Sequence, residues 1–382
     1  MQEGWYYKGC VMLPASIFAL MIFASMGMAS FVDPVLEEEE ENPEIPPIEP
    51  PVDVPPVEPP VDDGPIGVTG GENFVGTGGA DTFVNADSDT FVDGVSIAAG
   101  GGDDIINLAT DLNDNPTREF SIENLTIDAG AGNDTITVLG DRLQIEGGSG
   151  DDTIMALFPS TGNIFGGEGN DTLTGEQGSS DPLNLFGGAG DDILDGSTID
   201  NGALDGGEGN DDITMSGGAD GGAGYVSNAF GGDGNDTMRY QGGGLNFEQL
   251  VPNTLTGGAG DDTFSLILNE GGDIVGDFAP TAMDGTQQLQ SVAIADFNSD
   301  EDVIIVDASA SSADYTLTGA TLETRTDGAD TTQTVLILRY ESGTLQAREV
   351  VVGLGSADVA LGDIAFVGEQ LPMTFTHVRG VV

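Results

Sequence analysis

The sequence predicts an all-β protein whose centre is a solenoid of short stacked strands. Three observations carry that prediction. The run 147–195 reads GGSGDDTIM, then GGEGNDTLT, then GGAGDDILD, with unlike residues between the copies. Each copy has glycine at positions one, two and four, aspartate at six and a large apolar residue at eight. The sixth-position aspartates continue in both directions as Asp81, Asp104, Asp134, Asp152, Asp171, Asp192, Asp211, Asp236 and Asp262. Their intervals are 23, 30, 18, 19, 21, 19, 25 and 26 residues, and a self-similar period of about 20–50 residues is the mark of a stacked repeat. Finally, an apolar residue stands on each side of every turn. Phe83, Ile106, Ile136, Ile154, Leu173, Leu194, Ile213, Met238 and Phe264 follow it; Phe74, Ile97, Ile127, Ile145, Ile164, Leu185, Leu204, Ala229 and Leu255 precede it.

Taken in order, the chain opens with Lys8, its only lysine, and Cys10, its only cysteine, which rules out an intrachain disulfide. From Val11 to Val32 no residue is charged, a run long enough to cross a bilayer as a helix. Residues 1–32 are therefore expected to be an N-terminal apolar helix, either a signal peptide cleaved near Gly27-Met28-Ala29 or an uncleaved anchor. Both readings place the protein outside the cell or on its surface. Residues 33–65 hold eleven prolines and twelve acidic residues. Such a segment cannot bury a core and is expected to be an extended, disordered stalk.

The repeats begin at Gly67 with two adjacent nine-residue copies, GVTGGENFV and GTGGADTFV, the first with Glu72 in the aspartate position. Across 66–268 short alternating segments such as Asp-Thr-Ile-Thr point one apolar residue inward and their threonines outward. Stacked coils then bury a continuous apolar ladder that no single coil could bury. Glycine in the turn permits backbone angles closed to other residues, so carbonyl oxygens can face a common point. The aspartate adds a charged oxygen, and two stacked turns supply a hard, all-oxygen cage at the ligand count calcium takes. Magnesium fits less well because it keeps its waters and demands tight octahedral geometry. The candidate metal residues are Asp81, Asp104 and Asp134, then the turns with the fullest pattern. These are Gly147, Gly148, Ser149, Gly150 and Asp152; Gly166, Gly167, Glu168, Gly169 and Asp171; and Gly187, Gly188, Ala189, Gly190 and Asp192. They continue as Gly206, Gly207, Glu208, Gly209 and Asp211; Gly231, Gly232, Asp233, Gly234 and Asp236; and Gly257, Gly258, Ala259, Gly260 and Asp262.

These runs, with GGEGNDDIT, GGDGNDTMR and GGAGDDTFS, resemble the nonapeptide repeats of RTX (hemolysin-type) calcium-binding proteins. The resemblance implies a parallel β-roll with calcium ions between successive turns. In that family each ion takes carbonyls from positions one and three of one turn, two and four of the next, and both aspartates. For Asp152 and Asp171 that gives Gly147, Ser149, Gly167 and Gly169, with the order of the two turns left open. A full roll repeats every nine residues and binds calcium on both edges, whereas here the motif recurs at about twice that length. The copies should therefore fall on one edge. Nine half-sites then share at most eight ions, and the GGADGGAG run at 217–224 reads as a loop.

From 269 to 382 longer strands are expected, in EDVIIVD, ADYTLTGATLETR, TVLILRY and AREVVVGL, forming a β-rich cap over the open end. ADFNSDEDVIIVD (295–307) and VVVGLGSADVALGDIAFV (350–367) are similar to the C-terminal region of serralysin-type exoproteins. That likeness implies a closing segment carrying an export signal, a route that uses no N-terminal leader.

Composition bounds the function. The chain has 66 acidic against 8 basic residues and a formal net charge of −58. Nucleic acid is excluded as a partner, since it needs clustered Lys and Arg, and a membrane contact is expected only through residues 11–32. One histidine, His377, makes a His-dependent triad or a multi-histidine zinc site untenable. Neither an HExxH nor a GxSxG motif occurs. The expectation is an exported, non-catalytic calcium-binding protein with an adhesion, matrix or surface role, its partner a surface polysaccharide or matrix component. The alternative is a secreted glycan-active hydrolase or lyase using carboxylates on the roll. A pore-forming toxin fits least.

Overall fold

A computed structural model describes residues 64–69, 71–86, 92–109, 122–157, 161–176, 182–199, 201–216, 227–242, 253–268, 287–307, 316–326, 332–343, 347–355, 359–368 and 373–377. The apolar run at 11–32, the Pro-rich stretch up to residue 63 and the GGADGGAG run lie outside them. Among the described residues no helix is long and apolar enough to cross a membrane, and the one helical element is a 3-10 turn, Leu361–Asp363.

Everything else regular is strand, arranged as the solenoid expected from the period. Each coil sends one strand into a glycine turn and one strand out of it. The upstream strands pair in parallel with one another: Thr135–Ser149, Gly162–Glu168, Leu183–Ala189, Gly202–Glu208, Ser227–Asp233 and Asn253–Ala259. The downstream strands form a second parallel ladder through Thr153–Leu157, Thr172–Glu176, Ile193–Gly196, Asp212–Ser216, Thr237–Gly242 and Thr263–Leu268. Thr135–Ser149 is shared. Its first residues pair with Thr153–Leu157 and its last with Gly162–Glu168.

The register sets the core. Ile145, Ile164, Leu185, Leu204, Ala229 and Leu255 are successive partners in the upstream ladder. In the downstream ladder the partners are Ile136, Ile154, Leu173, Leu194, Ile213, Met238 and Phe264. All of these are at most 1 % exposed, as parallel strands with a period-two pattern require when one face is covered. Both rows read from the sequence are thus the interior of the roll. Outward positions carry mainly polar residues, although Ile105, Met155, Ile193 and Phe230 are exposed there, and one apolar pair packs along the axis. Phe165 and Phe186, neighbours in the upstream ladder, stack with ring centroids 4.7 Å apart and planes 8° from parallel.

The edge opposite the glycine turns is built differently. The first copy, GVTGGENFV, runs from a downstream strand, Ile66–Val68, to an upstream one, Asn73–Val75. It therefore crosses at this opposite edge, nine residues being half a coil. Farther along, Gly94, Asn124 and Arg142 stand in stacked corners, all with left-handed φ (73°, 55° and 53°). Arg142 pairs with Glu123, and its Nε donates to Asn124 Oδ1 at 2.8 Å. Between Ile193–Gly196 and Gly202–Glu208 the connection turns Ile199 inward to 0 % exposure. There it fills the space left by Gly175 and Gly196, whose absent side chains would meet its Cδ1 at 3.0 and 3.2 Å.

The C-terminal strands extend these ladders. Val303–Asp307 continues the downstream ladder and Ile364–Val367 follows it. Gln287–Ile294 continues the upstream ladder and pairs with Arg348–Gly353. Only then does the pairing turn antiparallel, through Thr332–Glu341 and Thr316–Thr326. Thr332–Glu341 buries both faces: Leu336, Leu338 and Tyr340 join the main core, while Val335 and Ile337 form a second cluster with Val351. That explains why TVLILRY lacks polar alternation.

Candidate metal centre

Each turn that follows the upstream strand is six residues long and is positioned by glycine. At position two, Gly100, Gly130, Gly148, Gly167, Gly188, Gly207, Gly232 and Gly258 have φ between +106° and +125°. At position four, from Gly102 to Gly260, φ lies between +96° and +144°. Only glycine takes such angles without strain. There is also no room for anything else. A Cβ on Gly167 would collide with the Gly148 carbonyl oxygen, and one on Gly169 with that of Gly150.

These collisions show where the carbonyls point. Gly148 and Gly150 aim their oxygens forward, at the next turn. From that next turn the Gly166 oxygen points back, 2.7 Å from where a Gly147 Cβ would lie, and Gly150 N donates to the Glu168 carbonyl at 2.7 Å. The carbonyls facing the interval between Asp152 and Asp171 are therefore those of Gly148, Gly150, Gly166 and Glu168. Of the two orders the resemblance leaves open, this is the one with positions two and four of the first turn and one and three of the second. Gly167 and Gly169 face the following interval, toward Gly188 and Gly190, and the Ser149 carbonyl accepts from Gly132 N on the preceding side, at 2.8 Å. The reason is strand geometry: successive carbonyls along an extended chain alternate sides, so odd and even positions serve different neighbours.

The aspartates form a buried file along the same edge. Each main-chain N–H donates to Oδ1 of the next aspartate, from Asp81 to Asp104 at 2.6 Å through Asp152 to Asp171 at 2.8 Å and on to Asp236 to Asp262 at 2.9 Å. Oδ2 has no such donor. In Asp104, Asp134, Asp152, Asp171, Asp192, Asp211 and Asp236 it is buried with no hydrogen-bond partner, and these residues are at most 2 % exposed. Their Oδ2 atoms crowd the spaces left by glycine. A Cβ on Gly147 would strike both Asp152 Oδ2 and the Gly166 carbonyl oxygen, and Gly166, Gly187, Gly206 and Gly231 repeat the arrangement. A carboxylate oxygen and a carbonyl oxygen thus converge with no proton between them. A buried unpaired acceptor costs about 1–3 kcal/mol, more when charged, so seven in one file is an arrangement that a cation would relieve.

The electrostatics agree. Burial pushes Asp152 and Asp192 up to about 7, and Asp104, Asp211, Asp236 and Asp262 up to about 6. Asp134 and Asp171 are raised by the same cause. The N–H from the preceding aspartate opposes the shift, and neighbouring carboxylates in the file add to it. Among the described residues no three Asp, Glu, His or Cys side chains are placed to hold a metal by themselves. Most donors in each interval are main-chain carbonyls, so this site is one that a search for clustered side chains passes over. The donor set is hard oxygen only, as calcium prefers.

The structure adds a second file that the motif rule passed over by allowing any residue at position five. Asp103, Asn133, Asp151, Asn170, Asp191, Asn210, Asn235 and Asp261 lie on the outer rim. Each side-chain Oδ1 accepts from the main-chain N–H of the next, at 2.7–3.0 Å. Bonds in this file run opposite in sense to those of the buried aspartates, so consecutive turns are clamped from both sides. The near alternation of Asp and Asn keeps most like charges two rungs apart. Asp191 is held below the usual carboxylate range by N–H groups of Asn210. The sequence signal was present, since position five is Asp or Asn in all these turns.

Fold and site together define a calcium-binding parallel β-roll. The family model for the RTX calcium-binding nonapeptide repeat matches four stretches of the chain, 126–157, 162–179, 184–198 and 252–266. These stretches are RTX, or hemolysin-type, calcium-binding repeats. No curated protein matches it. The turns ending at Asp104, Asp211 and Asp236 fall outside the matched stretches, yet they carry the same left-handed glycines, the same Oδ1 bonds and the same unpartnered Oδ2.

Proposed function

We propose that this chain is an exported, non-catalytic structural module, ordered by calcium and serving at the cell surface in adhesion or matrix contact. The observation that carries the proposal is the file of seven buried, unpartnered carboxylate oxygens along one edge. In each interval Oδ2 of one turn, the position-two and position-four carbonyls of that turn and the position-one and position-three carbonyls of the next would hold the ion. Calcium would neutralise charge that otherwise drives the coils apart in a chain of net charge −58. With free calcium about tenfold above the dissociation constant, each ion adds about 1.4 kcal/mol. A stack of several then supplies a stability comparable to that of an ordinary domain, about 5–15 kcal/mol.

The uncharged run from Val11 to Val32 and the Pro-rich acidic stretch after it support export, with residues 66–268 as the roll and 269–382 as its closing segment. Extracellular modules bind calcium at about 10⁻⁴–10⁻³ M. A roll tuned to that range stays loose inside the cell and orders outside. A matrix or neutral polysaccharide surface would be its partner, since so acidic a chain repels anionic ones. Circular dichroism of the full chain tests the reading: EDTA should weaken the strand signal and lower its melting temperature, and millimolar calcium should restore both. A strand signal and melting temperature unchanged in EDTA would falsify the proposal.

A further inference from the structure

The file of aspartates does not end where its unpartnered oxygens end. At the N-terminal side, Asp81 keeps the ladder bond to Asp104, but its Oδ2 is already occupied: Thr77 donates to it from its main-chain N at 2.6 Å and from Oγ1 at 2.9 Å. The cause is in the sequence. Thr77 stands at position two of GTGGAD, where every later turn has a left-handed glycine; Thr77 does not take a positive φ, and neither does Gly79 at position four. The turn closes on its own aspartate. At the other side, Asp302 extends the file, its Oδ1 accepting from Asp262 N at 3.0 Å, although the sequence around it, ADFNSDED, has lost the glycines. Its Oδ2 accepts from Asn298 N at 2.7 Å within its own turn. Asp296 takes the N–H groups of Gly257 and Gly258 at 3.0 and 2.9 Å. Beside Gly257 the Phe264 ring stands closer than any carbonyl, at 3.0 Å from the position of a Cβ, where Gly147, Gly166, Gly187, Gly206 and Gly231 each have a carbonyl oxygen from the next turn.

We infer that the metal ladder is closed at both ends by protein hydrogen bonds, through Thr77 at one end and Asp296, Asn298 and Asp302 at the other, and that it holds seven ions. This rests on the calcium reading above and fixes its count and its limits. At the N-terminal end the two Thr77 donors take the place of the cation on Asp81. At the other end the turn after Asp262 brings no carbonyl beside Gly257, Asp296 holds the Gly257 and Gly258 N–H groups, and Asn298 N closes Asp302, so the stack has a defined first and last ion in place of a frayed series. The seven sites lie in the intervals that begin at Asp104, Asp134, Asp152, Asp171, Asp192, Asp211 and Asp236.

Anomalous difference maps from calcium-loaded crystals of the full chain, collected at long wavelength, test this by position. Seven peaks in one file are expected, with none between Asp81 and Asp104 and none between Asp262 and Asp302. A peak in either terminal interval overturns the inference while leaving the calcium reading intact. No peaks along the edge overturns the calcium reading itself. The variant Thr77→Gly, at an exposed terminal turn, restores glycine at position two and should add an eighth peak beside Asp81. Thr77→Ser, which keeps both donors, should leave seven. A Thr77→Gly map still showing seven peaks refutes Thr77 as the closing residue.

Discussion

The two edges of the roll are made from the same strands and solve opposite problems. On the glycine edge every turn is six residues long, every position-two glycine is left-handed, and consecutive turns are bonded through two files of Asp and Asn side chains. On the other edge the described connections differ from coil to coil. One is a stack of left-handed corners held by Arg142, Asn124 and Glu123, another a short loop that drops Ile199 into the core. The difference teaches what each edge is for. A site shared between turns tolerates no variation in length, because a shift of one residue would move every carbonyl to the wrong side. An edge that only has to return the chain can be closed by whatever packs.

The largest expected effect separates the edges directly. Gly167→Ala would place a methyl against the Gly148 carbonyl in a backbone conformation that L residues avoid, a cost of about 4 kcal/mol. It should also displace a carbonyl from two metal intervals at once. Ile199→Ala on the other edge should cost about 3 kcal/mol through its cavity alone. Urea unfolding with and without calcium discriminates them: the Gly167 variant should lose most of the calcium-induced stabilisation, while the Ile199 variant loses equally in both conditions. Equal calcium dependence of the two variants would remove the distinction.

That asymmetry also accounts for what could be read in advance. The spacing of the aspartates gave the coil length, and the apolar residues at position eight and two before the turn gave both inner rows, because alternation and period are properties of the chain alone. The sign of the carbonyl assignment was not legible, since it depends on which way the strand before Gly147 faces its neighbour. Nor was the closure at Thr77, a position that looks like one more conservative departure until its N–H is seen on Asp81. Ile199 was hidden for a related reason: DGSTIDNGA carries no period, and only the gaps left by Gly175 and Gly196 explain its apolar residue. Asp302 was visible as an acidic residue in a segment without glycine, but its place in the file comes from Val303 pairing with Thr263.

Acidity should act on the two edges unequally. In the metal-free roll burial raises the aspartates of the file, to about 7 at Asp152 and Asp192 and about 6 at Asp104, Asp211, Asp236 and Asp262, from an ordinary value of 3.8. Between about pH 4 and 7 the folded chain therefore binds more protons than the unfolded one, and its stability falls as pH rises. The contribution is fully present below the unfolded value and lost through pH 6–7. Calcium needs the carboxylates deprotonated, so its binding strengthens over the same range. In EDTA and moderate salt, which screens repulsion elsewhere on the surface, the melting temperature should drop from pH 5 to pH 8. In excess calcium it should hold or rise. A melting temperature in EDTA that climbs with pH would contradict the burial of these groups.

The smallest change is the most discriminating, because its sign should reverse. Asp171→Asn keeps an oxygen to accept from Asp152 N, the bond that measures 2.8 Å in the native chain. It replaces the unpartnered Oδ2 by an amide, beside the Gly187 carbonyl that approaches the same space to 2.7 Å of a Gly166 Cβ. Without calcium the new N–H satisfies that carbonyl and removes a buried unpaired acceptor, so the variant should be more stable than the parent by about 1 kcal/mol. With calcium it loses the carboxylate an ion needs, about 1.4 kcal/mol at tenfold saturation, which outweighs that gain and leaves the variant less stable than the parent by about 0.4 kcal/mol. Asp151→Asn on the outer rim is the matched control. Asparagine already serves there at Asn133 and Asn170, accepting from Asp151 N and Asp191 N, so this variant should behave like the parent in both conditions. Should Asp171→Asn destabilise the roll in EDTA as well, the buried oxygen is bonded to something other than a metal, and the glycine edge would be held together as the other edge is, by protein contacts alone.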